Sequence, residues 1–103
     1  MVVRGRLRDP SQAPAEGEEL LRLLSVGVVV VEQILSASSS TPSHYRQQHD
    51  EWVVVLSGGA TLDVDGERCT LAPGEWILLP AGVRHSVLRT EARTSWLAVH
   101  VHR

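Results

Sequence analysis

The sequence predicts a single all-β domain, a barrel or sandwich of short strands, and three observations carry that expectation. The 43% hydrophobic content is dominated by valine, leucine and alanine, with no phenylalanine, three tryptophans and one tyrosine, a β-branched bias that favours sheet. Short apolar runs recur between turn signals along most of the chain. At 103 residues the chain is near the commonest domain size, so one core and no second domain is expected.

Residues 1–15 carry Gly5, Pro10, Pro14 and several charges without apolar periodicity, and read as a mobile arm or an extended edge segment ahead of a single domain at 16–103. Gly17-Glu18-Glu19 followed by leucines predicts a short helix near residues 17–24. Its acidic residues would favour the positive helix end, and its leucines would cap one end of a barrel; a leucine-rich strand is the alternative. Residues 26–35 read as a strand in which Gly27 is a weak point or close-packing site. Residues 36–43, Ser-Ala-Ser-Ser-Ser-Thr-Pro-Ser, read as a loop at a pocket mouth. Strands are expected at 51–57 and 60–65, split by Gly58-Gly59. Asp65-Gly66 then marks a type I′ hairpin leading into 68–71, because both central residues of that turn need positive φ. Residues 76–79, 85–90 and 95–101 complete the set.

Composition excludes several functions. The formal net charge of −2 leaves no basic face large enough for nucleic acid, and the Arg4, Arg6, Arg8 alternation reads as a solvated tail. Cys69 stands alone, which excludes an intrachain disulfide and a thiolate-rich zinc site. The N-terminus has no apolar signal core, and the apolar run at 26–31 is too short to span a bilayer, so a soluble, cytoplasmic protein without membrane contact is expected.

The chain is organised around Gly74-Glu-Trp-Ile-Leu-Leu-Pro80-Ala-Gly82-Val-Arg-His85-Ser-Val-Leu-Arg89. A turn glycine and an apolar strand lead into a Pro-x-Gly turn that delivers His85 at the start of the next strand. Its partner is His44-Tyr-Arg-Gln-Gln-His49-Asp-Glu51 followed by Gly58. Together these stretches resemble the two conserved motifs of the cupin superfamily, G-x5-P-x-G-x2-H-x3-N and the E-x6-G end of H-x-H-x3-E-x6-G. The resemblance covers roughly residues 26–101 and implies a double-stranded β-helix, the jelly-roll barrel. It departs in two places: Arg89 stands where the family usually has asparagine, and the two family histidine positions before Glu51 hold Tyr45 and Gln47.

Strand alternation would point Tyr45, Gln47, His49 and Glu51 one way if the segment is extended throughout; His85, Val87 and Arg89 would share one face, and Trp96, Ala98, His100 and His102 another. The resemblance implies that the Glu51 and His85 faces look into the barrel. Two histidines and a carboxylate leave open positions on a divalent transition ion, iron, manganese, nickel or zinc, so His49, Glu51 and His85 form a candidate metal set, with His44 competing for His49's place. Gln47, Trp76, Arg89 and His100 are candidate ligand-binding residues, and Tyr45 with Glu51 candidate acid–base residues. Three functions compete: a metal-binding cupin acting on a small organic substrate, a metal-free acid–base enzyme using His85 or His49 as base and Tyr45 as acid, and a non-catalytic binding module. Trp52, Val54 and Leu56 oppose the Glu51 face yet are apolar, which predicts a homodimer through the outer face; the resemblance to cupins, which commonly pair, points the same way.

Overall fold

Glu51, Val53 and Val55 are buried while the residues between them face outward less covered, the period of a strand that packs one face on a core. The same alternation recurs along the chain in a computed structural model describing residues 1–103. A 3₁₀ turn, Pro10–Gln12, precedes nine strands: β1 Glu18–Val26, β2 Val29–Ser36, β3 Ser43–Arg46, β4 Asp50–Ser57, β5 Ala60–Val64, β6 Glu67–Leu71, β7 Trp76–Leu79, β8 Arg84–Thr90 and β9 Thr94–Val101. They form two antiparallel sheets, β1-β2-β9-β4-β7 and β3-β8-β5-β6. Val53, Val55, Ala60, Leu62, Leu71, Leu79, Trp96 and Ala98 fill the space between them, and the Trp96 indole N–H donates to Ser36 Oγ at 3.1 Å. The fold is the all-β jelly-roll barrel that the motifs imply. No helix is long and apolar enough to cross a membrane.

The helix expected near residues 17–24 is strand β1. It pairs with β2 from Glu18↔Ser36 to Val26↔Val29, and this cross-strand pairing outweighs the weak helical preference of leucine. A register shift between Arg22 and Leu24 breaks the strand period, which hid the strand from a pattern reading. Gly27 is neither a strand interior nor a close-packing site. It turns the β1–β2 hairpin at φ 57°, and a Cβ there would meet nothing within 4 Å. At the Asp65-Gly66 hairpin both φ values are positive, 51° and 87°, as the turn chemistry requires.

The N-terminal arm is fastened across the outside of the larger sheet. The Arg8 N–H donates to Gln33 Oε1 at 2.8 Å, while Gln33 Nε2 donates to the Arg8 carbonyl at 2.9 Å and to Ser95 Oγ at 3.0 Å. Gln33 is only 1% exposed, so these bonds satisfy an amide that would otherwise be buried at a cost.

Candidate functional site

The two motif stretches are tied together by backbone. Val83 N–H donates to the Pro80 carbonyl across the Pro-x-Gly turn, Gly82 N–H to the Gln47 carbonyl at 2.7 Å, and Ala81 N–H to Asp50 Oδ1 at 2.9 Å. The turn that delivers His85 therefore also fixes the segment before Glu51. Asp50, held by Ala81 N–H and by Arg103, has its carboxyl below the usual range.

Between the sheets lies a cavity of ≈ 130 Å³ whose polar lining comprises Glu18, Glu32, Ser36, Tyr45, Gln47, Glu51, His85 and His100. Five expected site residues, Tyr45, Gln47, Glu51, His85 and His100, thus meet in one place. Tyr45 and His85 sit opposite each other on β3 and β8 and stack, with ring centroids 5.3 Å apart and an interplanar angle of 16°. His85 Nδ1 and Gln47 Oε1 are buried without a hydrogen-bond partner.

The remaining candidates lie elsewhere. His44 faces out, as parity requires, with Nδ1 2.7 Å from Ser86 Oγ. His49 does not continue the Tyr45–Gln47 row, because β3 ends at Arg46 and the chain bends before β4 begins at Asp50. Instead its Nε2 lies 2.8 Å from His100 Nδ1 at the cavity edge, and its ring centroid 4.2 Å from that of His102. Arg89 leaves the face of His85 and Val87 because Leu88 is a bulge: Leu62 pairs with Val87, but Thr61 pairs with Arg89. It is exposed and lines two other depressions. Trp76 is 60% exposed on the outer face, its ring 6.1 Å from that of Trp52.

Two cavity residues escaped the sequence reading. Glu32 projects from β2, where its Oε1 lies 2.7 Å from His100 Nε2, and Glu18 projects from β1. A carboxylate between Val30 and Ile34 in an otherwise apolar row of β2 was the available signal for the first; the helical start signal of β1 concealed the second.

The sequence profile of the Cupin domain family (Cupin_2) matches residues 31–100, which contain both motif stretches. The chain belongs to the cupin family. A solved structure of a proposed mannose-6-phosphate isomerase from Ralstonia eutropha JMP134 is 31% identical, with a TM-score of 0.82 over 96% of this cupin and 100% of that chain. Quercetin 2,3-dioxygenase of Bacillus subtilis (strain 168) is 30% identical over 68% of this chain but 23% of its own length; gentisate 1,2-dioxygenase of a Ralstonia species is 32% identical over 70% and 20%. This cupin spans half or less of the length of the curated relatives it matches.

At the four positions where the family pattern places its ligands, this cupin carries Tyr45, Gln47, Glu51 and His85. Burial, with the Glu18 carboxylate next in weight, raises the Tyr45 phenol above its ordinary value of 10.0, so it stays protonated at neutral pH. Gln47 offers a neutral amide oxygen. One imidazole and one carboxylate remain, and no three His, Cys, Asp or Glu side chains converge closely enough to hold an ion. This donor set falls short of a first-row transition-metal shell.

The same residues suit proton transfer. Burial lowers the His85 pKa from 6.5, with the Val83 backbone opposing, so the ring is neutral at pH 7. Burial raises Glu51 above 4.5; His100 and the Gln47 amide pull it down, while Glu32 and Glu18 push it up further. A carboxyl raised on folding contributes stability that is present below the unfolded value and lost as pH rises through the folded one. Glu51→Gln is therefore expected to stabilise the barrel at pH 8 and to lose that advantage below about pH 4.5, the range of an ordinary glutamate. Thermal melts of both proteins across pH 4–8 check this; an advantage independent of pH would contradict it.

Proposed function

We propose that this cupin binds a small organic molecule in the barrel and moves a proton on it, in the manner of an isomerase, without a resident metal. The observation that carries this reading is the stacked Tyr45–His85 pair: a neutral imidazole against a protonated phenol, both residues lining one mostly apolar cavity. His85 takes a proton from a carbon next to a carbonyl, Tyr45 donates to the developing oxyanion, and Glu51 orients the substrate. The full-length likeness to a proposed isomerase supports this class, whereas the dioxygenases match only part of their length. The metal-bound alternative needs an ion held by Glu51, His85 and the Gln47 amide oxygen. Solvent exchange separates the two. Candidate hydroxy- and amino-carbonyl compounds incubated in D₂O are expected to gain deuterium at carbon in the presence of a chelator. Exchange abolished by the chelator and restored by a divalent ion would favour the alternative.

The outer face of the larger sheet supports self-association. Trp52 and Val54 on β4 pair with Leu78 and Trp76 on β7, and Leu56, Trp76 and Leu78 are 38%, 60% and 52% exposed. A two-fold pairing of this face would cover them. Val54→Asp is expected to weaken the dimer by about 2 kcal/mol or more, as for a charge placed in an interface core. Sedimentation across a concentration series measures it; a wild-type monomer throughout, or an unchanged dimer in the variant, would count against the pairing.

A further inference from the structure

We infer that the molecule entering the barrel is a cation, a small compound bearing a protonated amine. This rests on the reading of the cavity as a small-molecule site and names the class of molecule it takes. Three strands, β1, β2 and β4, each contribute one carboxylate to the lining: Glu18, exposed at its rim, and the more enclosed Glu32 and Glu51. No permanent cation joins them. The chain contains no lysine. Arg22, the register partner of Glu32, and Arg89, beyond the Leu88 bulge, are both exposed and neither lines the cavity.

The two imidazoles do not neutralise this charge fully. His85 is neutral in its buried setting, and His100 is committed on both sides, Nε2 to Glu32 at 2.7 Å and Nδ1 to His49 at 2.8 Å. His100 Nε2 stands 4.0 Å from Glu51 Oε2, beyond hydrogen-bond distance.

A second observation is independent of charge. His85, 6% exposed, has a buried Nδ1 without a partner, and Gln47 Oε1 is likewise unpaired. Buried polar groups left unpaired are rare in folded proteins, and here both belong to residues of the cavity lining. The three carboxylates make the cavity rich in acceptors. An anion would meet three carboxylates; an ammonium group brings N–H donors and the missing positive charge. The apolar wall of Val53, Leu62, Leu79 and Trp96 takes a short alkyl portion, and ≈ 130 Å³ accommodates one of a few carbon atoms.

Three probes of nearly equal shape decide it: isobutylammonium, isobutanol and isobutyrate, titrated at pH 7 into the ¹⁵N-labelled full chain and followed at the Trp96 indole signal. Isobutylammonium is expected to bind at least about tenfold more tightly than isobutanol, a difference of about 1.4 kcal/mol, with isobutyrate producing no shift. The preference should disappear in the Glu32→Gln/Glu51→Gln double variant. Isobutyrate binding as tightly as isobutylammonium, or isobutanol binding with no advantage for the amine, would overturn the charge inference and leave the cavity reading standing. An amine preference unchanged in a folded double variant would also overturn it. If no probe moves Trp96, the cavity reading falls as well. Should the double variant not fold, the wild-type comparison decides alone.

Discussion

Gly58→Ala is expected to destabilise the barrel by about 3 kcal/mol or more. Gly58 sits at φ 81°, where an L-residue with a Cβ is strained by about 1–2 kcal/mol. Steric overlap costs more than this strain. A Cβ would lie 2.4 Å from Thr94 Oγ1 and 2.7 Å from the Thr94 backbone Cα, so the two segments must separate. That separation disturbs a buried hub: Thr94 Oγ1 accepts from Gly59 N–H at 3.2 Å and donates to the Glu91 carbonyl at 2.7 Å. Strain, overlap and hydrogen-bond loss together place the cost at about 3 kcal/mol or more, which for a domain of this size lowers Tm by roughly 12 °C or more. Calorimetry of both proteins checks it. Gly66→Ala is the control for φ alone, since φ there is 87° with nothing within 4 Å of a Cβ; equal losses in the two variants would remove the close approach from the explanation.

His85→Gln is expected to lower carbon-bound deuterium exchange by about 10²–10⁴-fold, the usual contribution of a positioned acid–base group. Glutamine keeps a polar group of similar reach but cannot take the proton. Tyr45→Phe removes only the phenol that would stabilise the oxyanion, and should cost exchange while leaving binding of a ground-state ligand near the wild-type value. His44→Ala is expected to change neither, because His44 lies outside the barrel against Ser86. With His85 neutral only above its lowered pKa, exchange should hold its rate below pH 6.5 and decline at lower pH as the ring takes up a proton. A pH-independent rate in a protein that still depends on His85 would mean that the imidazole does not act as base.

Much of the fold was legible because its signals are local. Pro80 and Gly82 restrict their own backbone, Asp65-Gly66 needs only its own φ values, and the Glu51-to-Gly58 spacing belongs to one strand, β4, and the turn that ends it. These features brought Tyr45, Gln47, Glu51 and His85 to one cavity. What the sequence concealed depends on pairing at a distance. Gly17-Glu18-Glu19-Leu20 carries a helical start signal, and only the presence of β2 makes it a strand. Parity carried from Tyr45 to Gln47 failed at His49 because the chain bends there, and failed at Arg89 because of one bulged residue. The Glu32–His100–His49 array joins residues from β2, β9 and the bend before β4, so no stretch of sequence contains it.

Metal analysis of protein purified without a histidine tag separates proton transfer by the side chains alone from a bound ion: iron, manganese, nickel and zinc measured together after dialysis, in wild type and in His85→Ala and Glu51→Ala. A proton-transfer site without a resident ion should carry far less than one equivalent of any of them, with the same trace amount in all three proteins. Near-stoichiometric metal in the wild type, lost in both variants, would contradict it and place an ion between Glu51 and His85.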